Sequence, residues 1–159
     1  MSIQSICIEK MPTLSFVLTT PLSLEETWIY LRTYSNVREW DQITQTVEQT
    51  DENTWKSSLA RWPAVRMTYE RIETSDEDSR TVSFEGVSDR GDVKTLERFK
   101  LQDDTAGGTS ITYTMQLGMS GWKRIPCVGA AVWVHLRSES SRAYDRLKSN
   151  LEALHRNVV

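Results

Sequence analysis

Between Gln42 and Leu117 six strand-like segments alternate with short polar turns, and this alternation restricts the fold more than any other feature of the chain. The segments are ITQTVEQ, TWKSSLA, VRMTYERIE, RTVSFEGV, VKTLERFKL and TSITYTMQL. The turn signals are TDEN (50–53), TSDEDS (74–79), SDRGD (88–92) and DDTAGG (103–108). Gaps this short leave no room for crossover helices, so neighbouring strands must run antiparallel, as hairpins of one meander. TLSFVLTT at 13–20 adds an earlier strand, with Leu14, Phe16 and Leu18 on one face and Ser15, Val17 and Thr19 on the other. The total is about seven strands.

Helical signals lie only at the two ends of this meander. Pro21 stops the first strand, and Ser23 with Glu26 three residues on forms a capping box. Leu24, Trp28 and Leu31 then share one face of a helix that runs to about Thr33. Ser35 is expected to cap one further turn, SNVREWDQ, which carries Val37 inward and ends at Trp40. From about Arg124 to Arg156 apolar residues recur at Ile125, Val128, Val132, Leu136, Ala143, Leu147, Leu151 and Leu154. Steps of three and four over so many turns predict one long amphipathic helix, with Pro126 in its first turn. Its first half, CVGAAVWVHL, is almost wholly apolar.

A sheet of this size curls because its strands twist, and the concave side must be covered. The long helix is the available cover. A helix about 10–12 Å across does not fill such a concavity unless large side chains close the gap, so space between sheet and helix is expected. The fold class is α+β: a curved seven-stranded antiparallel sheet around a long C-terminal helix, with two short helices between the first two strands.

Totals exclude several functions. At 159 residues the chain is read as one domain, 1–159, large enough for a core without staples. A net charge of −3 argues against nucleic acid as partner, because phosphate binding needs clustered Lys and Arg. Cys7 and Cys127 are isolated, with no metal-ligand spacing, and read as thiols of a reducing compartment. His135 and His155 sit about 30 Å apart along one helix at about 1.5 Å per residue, so they share no metal site or triad. GDVKTL and GGTS lack the strand–loop–helix context of a phosphate loop. No metal and no cofactor are expected. MSIQSICIEK is no signal peptide, no apolar run approaches a membrane span, and the expected location is the cytoplasm.

Three stretches carry a family resemblance. PLSLEETWIYLRTYSNVREW, GGTSITYTMQL and the terminal LKSNLEAL, in this order of elements, resemble the helix-grip fold of the START/SRPBCC superfamily: polyketide cyclases and dehydrases, lipid-transfer domains and birch-pollen-allergen-like proteins. The resemblance spans residues 12–156. It implies a hydrophobic or amphipathic ligand between sheet and long helix, and it brings no universal catalytic residues with it.

Candidate site residues follow from strand phase. In DVKTLERFKL, Val93, Phe99 and Leu101 face inward, which turns Thr95 and Glu97 inward too. A buried carboxylate is expensive unless paired or hydrated. Glu97 is therefore the first candidate for a polar ligand contact or an acid/base group, set against plain pairing with an Arg or water. Tyr69 is the second, set against a core tyrosine with a satisfied hydroxyl. Ile111, Tyr113, Met115 and Leu117 share a face, as do Val82, Phe84 and Gly86, where Gly86 opens room or marks a bulge. Met67 and Tyr69 face inward while Ile72 has the opposite parity, which predicts a bulge between them. Trp28 reads as packing, and Trp40 as a plug that also walls the cavity.

The expected ligand-binding set is Trp40, Trp55, Met67, Tyr69, Phe84, Glu97, Phe99, Tyr113, Met115, Val132, Trp133 and Leu136. Met119, Trp122, Ile125 and Trp133 form a further apolar surface, either a ligand entrance or a contact with a second copy in a homodimer. Three functions stay open. The first is a binding module for a small hydrophobic or amphipathic molecule, a lipid, polyketide or isoprenoid. The second is an aromatase/cyclase-type enzyme using Glu97 or Tyr69. The third is an interaction protein whose cavity has collapsed.

Overall fold

The computed structural model describes residues 13–120 and 126–158. The elements run β1 (Thr13–Thr20), α1 (Leu24–Arg32), a 3-10 turn (Tyr34–Asn36), α2 (Val37–Trp40), β2 (Thr44–Asp51), β3 (Thr54–Leu59), β4 (Arg66–Ser75), β5 (Arg80–Ser88), β6 (Val93–Asp103), β7 (Thr109–Met119) and α3 (Pro126–Val158). The seven strands form one sheet in the order β1-β7-β6-β5-β4-β3-β2. All neighbours are antiparallel. Hairpins make every pairing except β1 with β7, where Phe16 lies opposite Tyr113.

The capping box at α1 forms as the sequence requires. Ser23 Oγ accepts from the Glu26 amide, and Glu26 Oε2 accepts from the Ser23 amide at 3.0 Å. The next turn differs from expectation: no side chain caps α2, and Ser35 lies inside the 3-10 turn. Asn36 fixes this segment instead by donating Nδ2 to the Tyr30 carbonyl at 2.9 Å. The last carbonyls of α2 find donors on α3, Asn150 Nδ2 to Glu39 at 3.1 Å and Arg146 to Trp40 at 3.5 Å. Orphan helix-end groups thus tie α2 to the long helix.

The bulge expected in β4 is absent. Its register against β5 runs unbroken from Met67 opposite Ser88 to Ser75 opposite Arg80, and Ile72 simply points outward, 41% exposed. The sheet's irregular register lies in the edge pair β2–β3, between Thr44 and Thr46 and between Gln49 and Asp51.

Packing divides the molecule along α3. Its buried Ala143, Leu147 and Leu151 join Leu18, Leu22, Phe99, Leu101 and Ile111 in a filled core. The N-terminal half of α3 reaches past that core toward the β3–β4 loop, where Trp62 meets His135 edge-on at 5.9 Å.

Candidate functional site

Sheet phase builds one wall of a cavity under the N-terminal half of α3. On β4, β6 and β7 every second side chain points inward. Met67 and Tyr69, then Val93, Thr95 and Glu97, then Met115, Leu117 and Met119 meet Val132 and Leu136 of α3 around a space of about 150 Å3. Asp41, Ile43 and Thr44 after α2 close one side, and Leu59, Trp62 and Val65 around the β3–β4 loop close another.

Register explains how this space is shaped. Trp55, Tyr69, Gly86, Thr95 and Leu117 stand opposite one another across five strands. A Cβ on Gly86 would overlap the Thr95 hydroxyl and the Tyr69 ring. The missing side chain marks no bulge and opens no free room; it is the seat of the Tyr69 ring.

Glu97 is the polar centre. It is 8% exposed, and its Oε2 accepts from the Tyr113 hydroxyl at 3.2 Å. Burial, and after it the charge of Asp41, push its carboxyl up to about 8, against the opposing pull of the Tyr113 bond. At neutral pH this group holds a proton. It also borders two smaller spaces. One, of about 40 Å3, is shared with Phe16, Trp40, Asp41, Tyr113 and Glu139, and one of about 10 Å3 is shared with Tyr34, Trp40 and Phe99.

The groups around Glu97 are acidic or phenolic. Burial raises Asp41, and the charge of Glu139 adds to this, while bonds from the Ile43 amide (3.0 Å) and the Thr44 hydroxyl (2.9 Å) oppose it. Tyr34, Tyr69 and Tyr113 are pushed up by burial first, with Glu97 adding to each. The buried Thr95 and Tyr34 hydroxyls both adjoin that of Tyr69. Glu139 is ion-paired with Arg142 at 2.8 Å. This arrangement can desolvate an apolar body and offer it a protonated carboxyl and hydroxyls.

A family model described as polyketide cyclase / dehydrase and lipid transport matches residues 11–153. The chain belongs to that family. Solved structures share its fold at low identity. A START superfamily protein from Mycobacterium smegmatis matches with a TM-score of 0.63 and 10% identity, over 87% of this chain and 98% of that one. A hypothetical protein from Helicobacter pylori matches at 0.64 and 10%, over 88% and 86%. The di-domain ARO/CYC StfQ of the steffimycin biosynthetic pathway matches at 0.58 and 12%, over 92% of this chain and 52% of that one. No curated protein matches the sequence.

Within this polyketide cyclase/dehydrase and lipid-transport fold, the expected site residues separate into groups. Met67, Tyr69, Glu97, Met115, Val132 and Leu136 are brought together on the main cavity. Trp40 and Tyr113 border the side spaces, and Trp40 is buried edge-on to Phe99 and Tyr113 at 5.9 and 6.3 Å. Phe84 and Phe99 are core residues that touch only the smallest space. Trp55, 1% exposed, packs against Tyr34 and Phe84 beneath the Arg71 guanidinium, away from the cavity. Trp133 is half-buried on α3 and does not line it. Trp122 and Ile125 lie outside the described residues, as does Cys7. Asp41, Ile43, Thr44, Leu59 and Val65 enter the wall without having been singled out. They sit in or beside loops and an irregular edge, where no period marks inward positions.

A larger recess, about 990 Å3, opens at the other end of β4–β7 beside α1. Its walls are Glu73, Asp76, Glu77, Asp78, Asp103 and Asp104, with Leu24, Trp28 and Arg80 beside them, and it opens to solvent. It shares no residue with the cavity.

Proposed function

We propose that this chain is a one-domain cytoplasmic binding protein for a small hydrophobic or amphipathic molecule, a lipid, polyketide or isoprenoid, held between the sheet and α3. The observation that carries the reading is the apolar-walled space of about 150 Å3 with one buried carboxyl at its edge. Small-molecule sites usually measure about 300–1,000 Å3, so this space takes one ring or chain end. The rest of the ligand passes outward beside Trp62 and Val132. A ring burying about 200 Å2 gains about 5 kcal/mol, or sub-millimolar affinity before association costs. Tighter binding needs the emerging part as well. Cys127, Ala131 and Val134 leave an apolar strip exposed on α3, the surface a second copy would cover in a homodimer.

Native mass spectrometry of the freshly purified protein tests the reading. A small mass retained on the folded protein and released on denaturation is expected. A bare protein whose Met67 and Met115 methyl signals stay unmoved by any apolar molecule of ring size contradicts it.

A second reading, an aromatase/cyclase-type enzyme, is favoured by the convergence of Glu97 with the Tyr69 and Tyr113 hydroxyls. A carboxyl protonated near pH 7 is suited to moving protons. In that case Glu97→Gln abolishes turnover while binding of a purely apolar molecule barely changes.

A further inference from the structure

Resting on the reading that the cavity binds a ligand, we infer that it selects by charge and by one hydrogen bond. The Glu97 carboxyl donates to the acceptor oxygen of an uncharged ligand, a ketone or amide carbonyl, while Asp41 and a lining without a cation among the described residues exclude carboxylates and phosphates.

Geometry carries the first half. Glu97 stands where the cavity and its two side spaces meet. Tyr113 occupies its Oε2, and among the described residues no group pairs with its other oxygen. Thr95, two residues earlier on the same inward face, turns its hydroxyl to that of Tyr69. A protonated carboxyl with one unpaired oxygen thus stands in the wall, and an acceptor oxygen on the ligand satisfies it. A ligand lacking it leaves that donor unpaired, which disfavours that ligand more than a perfect fit favours the right one.

Charge carries the second half. No Lys, Arg or His is among the described residues that line the three spaces. The groups that face Glu97 are Tyr34 from the 3-10 turn, Asp41 after α2, Tyr69 from β4, Tyr113 from β7 and Glu139 from α3. The basic side chains around it are engaged elsewhere. Arg71 bonds to the Arg32 carbonyl and Asn53, Arg142 pairs with Glu139, Arg146 reaches the Trp40 carbonyl, and His135 lies against Trp62. A carboxylate entering this space would lose its water beside Asp41, with no free counter-ion among the described lining residues. An ammonium would also lose its water, against walls that are nearly all apolar, and Asp41 is already held by Ile43 and Thr44.

The test uses four molecules of one shape: acetophenone, ethylbenzene, benzoate and benzylamine. Each is titrated against the protein while the methyl signals of Met67 and Met115 are followed by NMR. At pH 6.5 acetophenone is expected to bind about tenfold more tightly than ethylbenzene, the worth of one net hydrogen bond, and benzoate not at all. Between pH 7 and 9 the acetophenone advantage disappears as the Glu97 proton is lost, and ethylbenzene is unaffected. Glu97→Gln keeps a donor, so it retains the advantage but removes its pH dependence; Glu97→Leu reduces acetophenone to the ethylbenzene level. Equal binding of acetophenone and ethylbenzene at pH 6.5 overturns the inference and leaves the apolar site intact. Tighter binding of benzoate or benzylamine overturns it too. If none of the four moves either methyl signal, the binding reading itself fails and the inference with it.

Discussion

At Glu97 strand phase and solvation oppose each other: the alternation that buries Val93 and Phe99 carries a carboxyl inward with them, and the group stays neutral to tolerate it. The unfolded chain releases this proton near 4.5 and the folded chain near 8. The folded protein therefore binds the extra proton between those values. The stabilisation is complete below about pH 4.5 and is lost as pH rises through 8. Denaturant unfolding from pH 5 to 9 should show a fall on the order of 4 kcal/mol, and Glu97→Gln should flatten it. Identical slopes in both proteins would show that Glu97 is not the titrating group. Asp41, also raised, works in the same direction, which is why the comparison with Glu97→Gln is needed. The inward phase of Glu97, Tyr69 and Met115 was legible because strands repeat every two residues. Asp41 was not, since a loop has no period, nor was Thr44, where the register of β2 shifts. Trp55 has the right parity but the wrong neighbours: Tyr34 of the 3-10 turn lies over it, and no pattern in the chain says which part of the sheet the short helices cover. Trp133 misses the wall because a one-residue step on a helix turns the side chain by about 100°.

Among the elements, the corner where β1 becomes α1 holds the edge strand β1, the β6–β7 turn and a helix together. Ser23→Ala removes its capping box and should lower stability by about 1 kcal/mol, read as a shift of the urea midpoint at constant slope. Gly108, at φ +98°, brings the β6–β7 turn against this corner, and a Cβ there would overlap the Thr20 carbonyl. The neighbouring Thr109 hydroxyl donates to the Leu22 carbonyl at 2.9 Å. Gly108→Ala therefore meets both a strained dihedral and a backbone clash, and should cost about 2–3 kcal/mol. A loss below 0.5 kcal/mol would mean the corner yields easily. The capping box was readable because its spacing is a local rule. The setting of α2 was not: Ser35 falls inside the 3-10 turn, Asn36 turns back to the Tyr30 carbonyl, and the Glu39 and Trp40 carbonyls at its end take donors from Asn150 and Arg146, more than a hundred residues on.

Across the whole molecule, α3 closes a filled core with one half and a cavity with the other. Leu147→Ala, in the filled half, should cost about 2–5 kcal/mol. Leu136→Ala, beside space that already exists, should cost clearly less. The hairpin order of β2–β7 followed from the short gaps and the long helix from its period, while the place of β1 beside β7 did not. The volume left between them did not, because it is a small difference between a sheet's curvature and the bulk of side chains from six elements. The same volume decides the central claim, that the space under α3 takes an apolar molecule. The most direct test is the melting temperature with and without saturating toluene, for the native chain and for Val132→Phe, which fills the space. A rise of about 2–4 °C in the native chain, absent in Val132→Phe, is the predicted result. No rise in the native chain, or an equal rise in both, would contradict it.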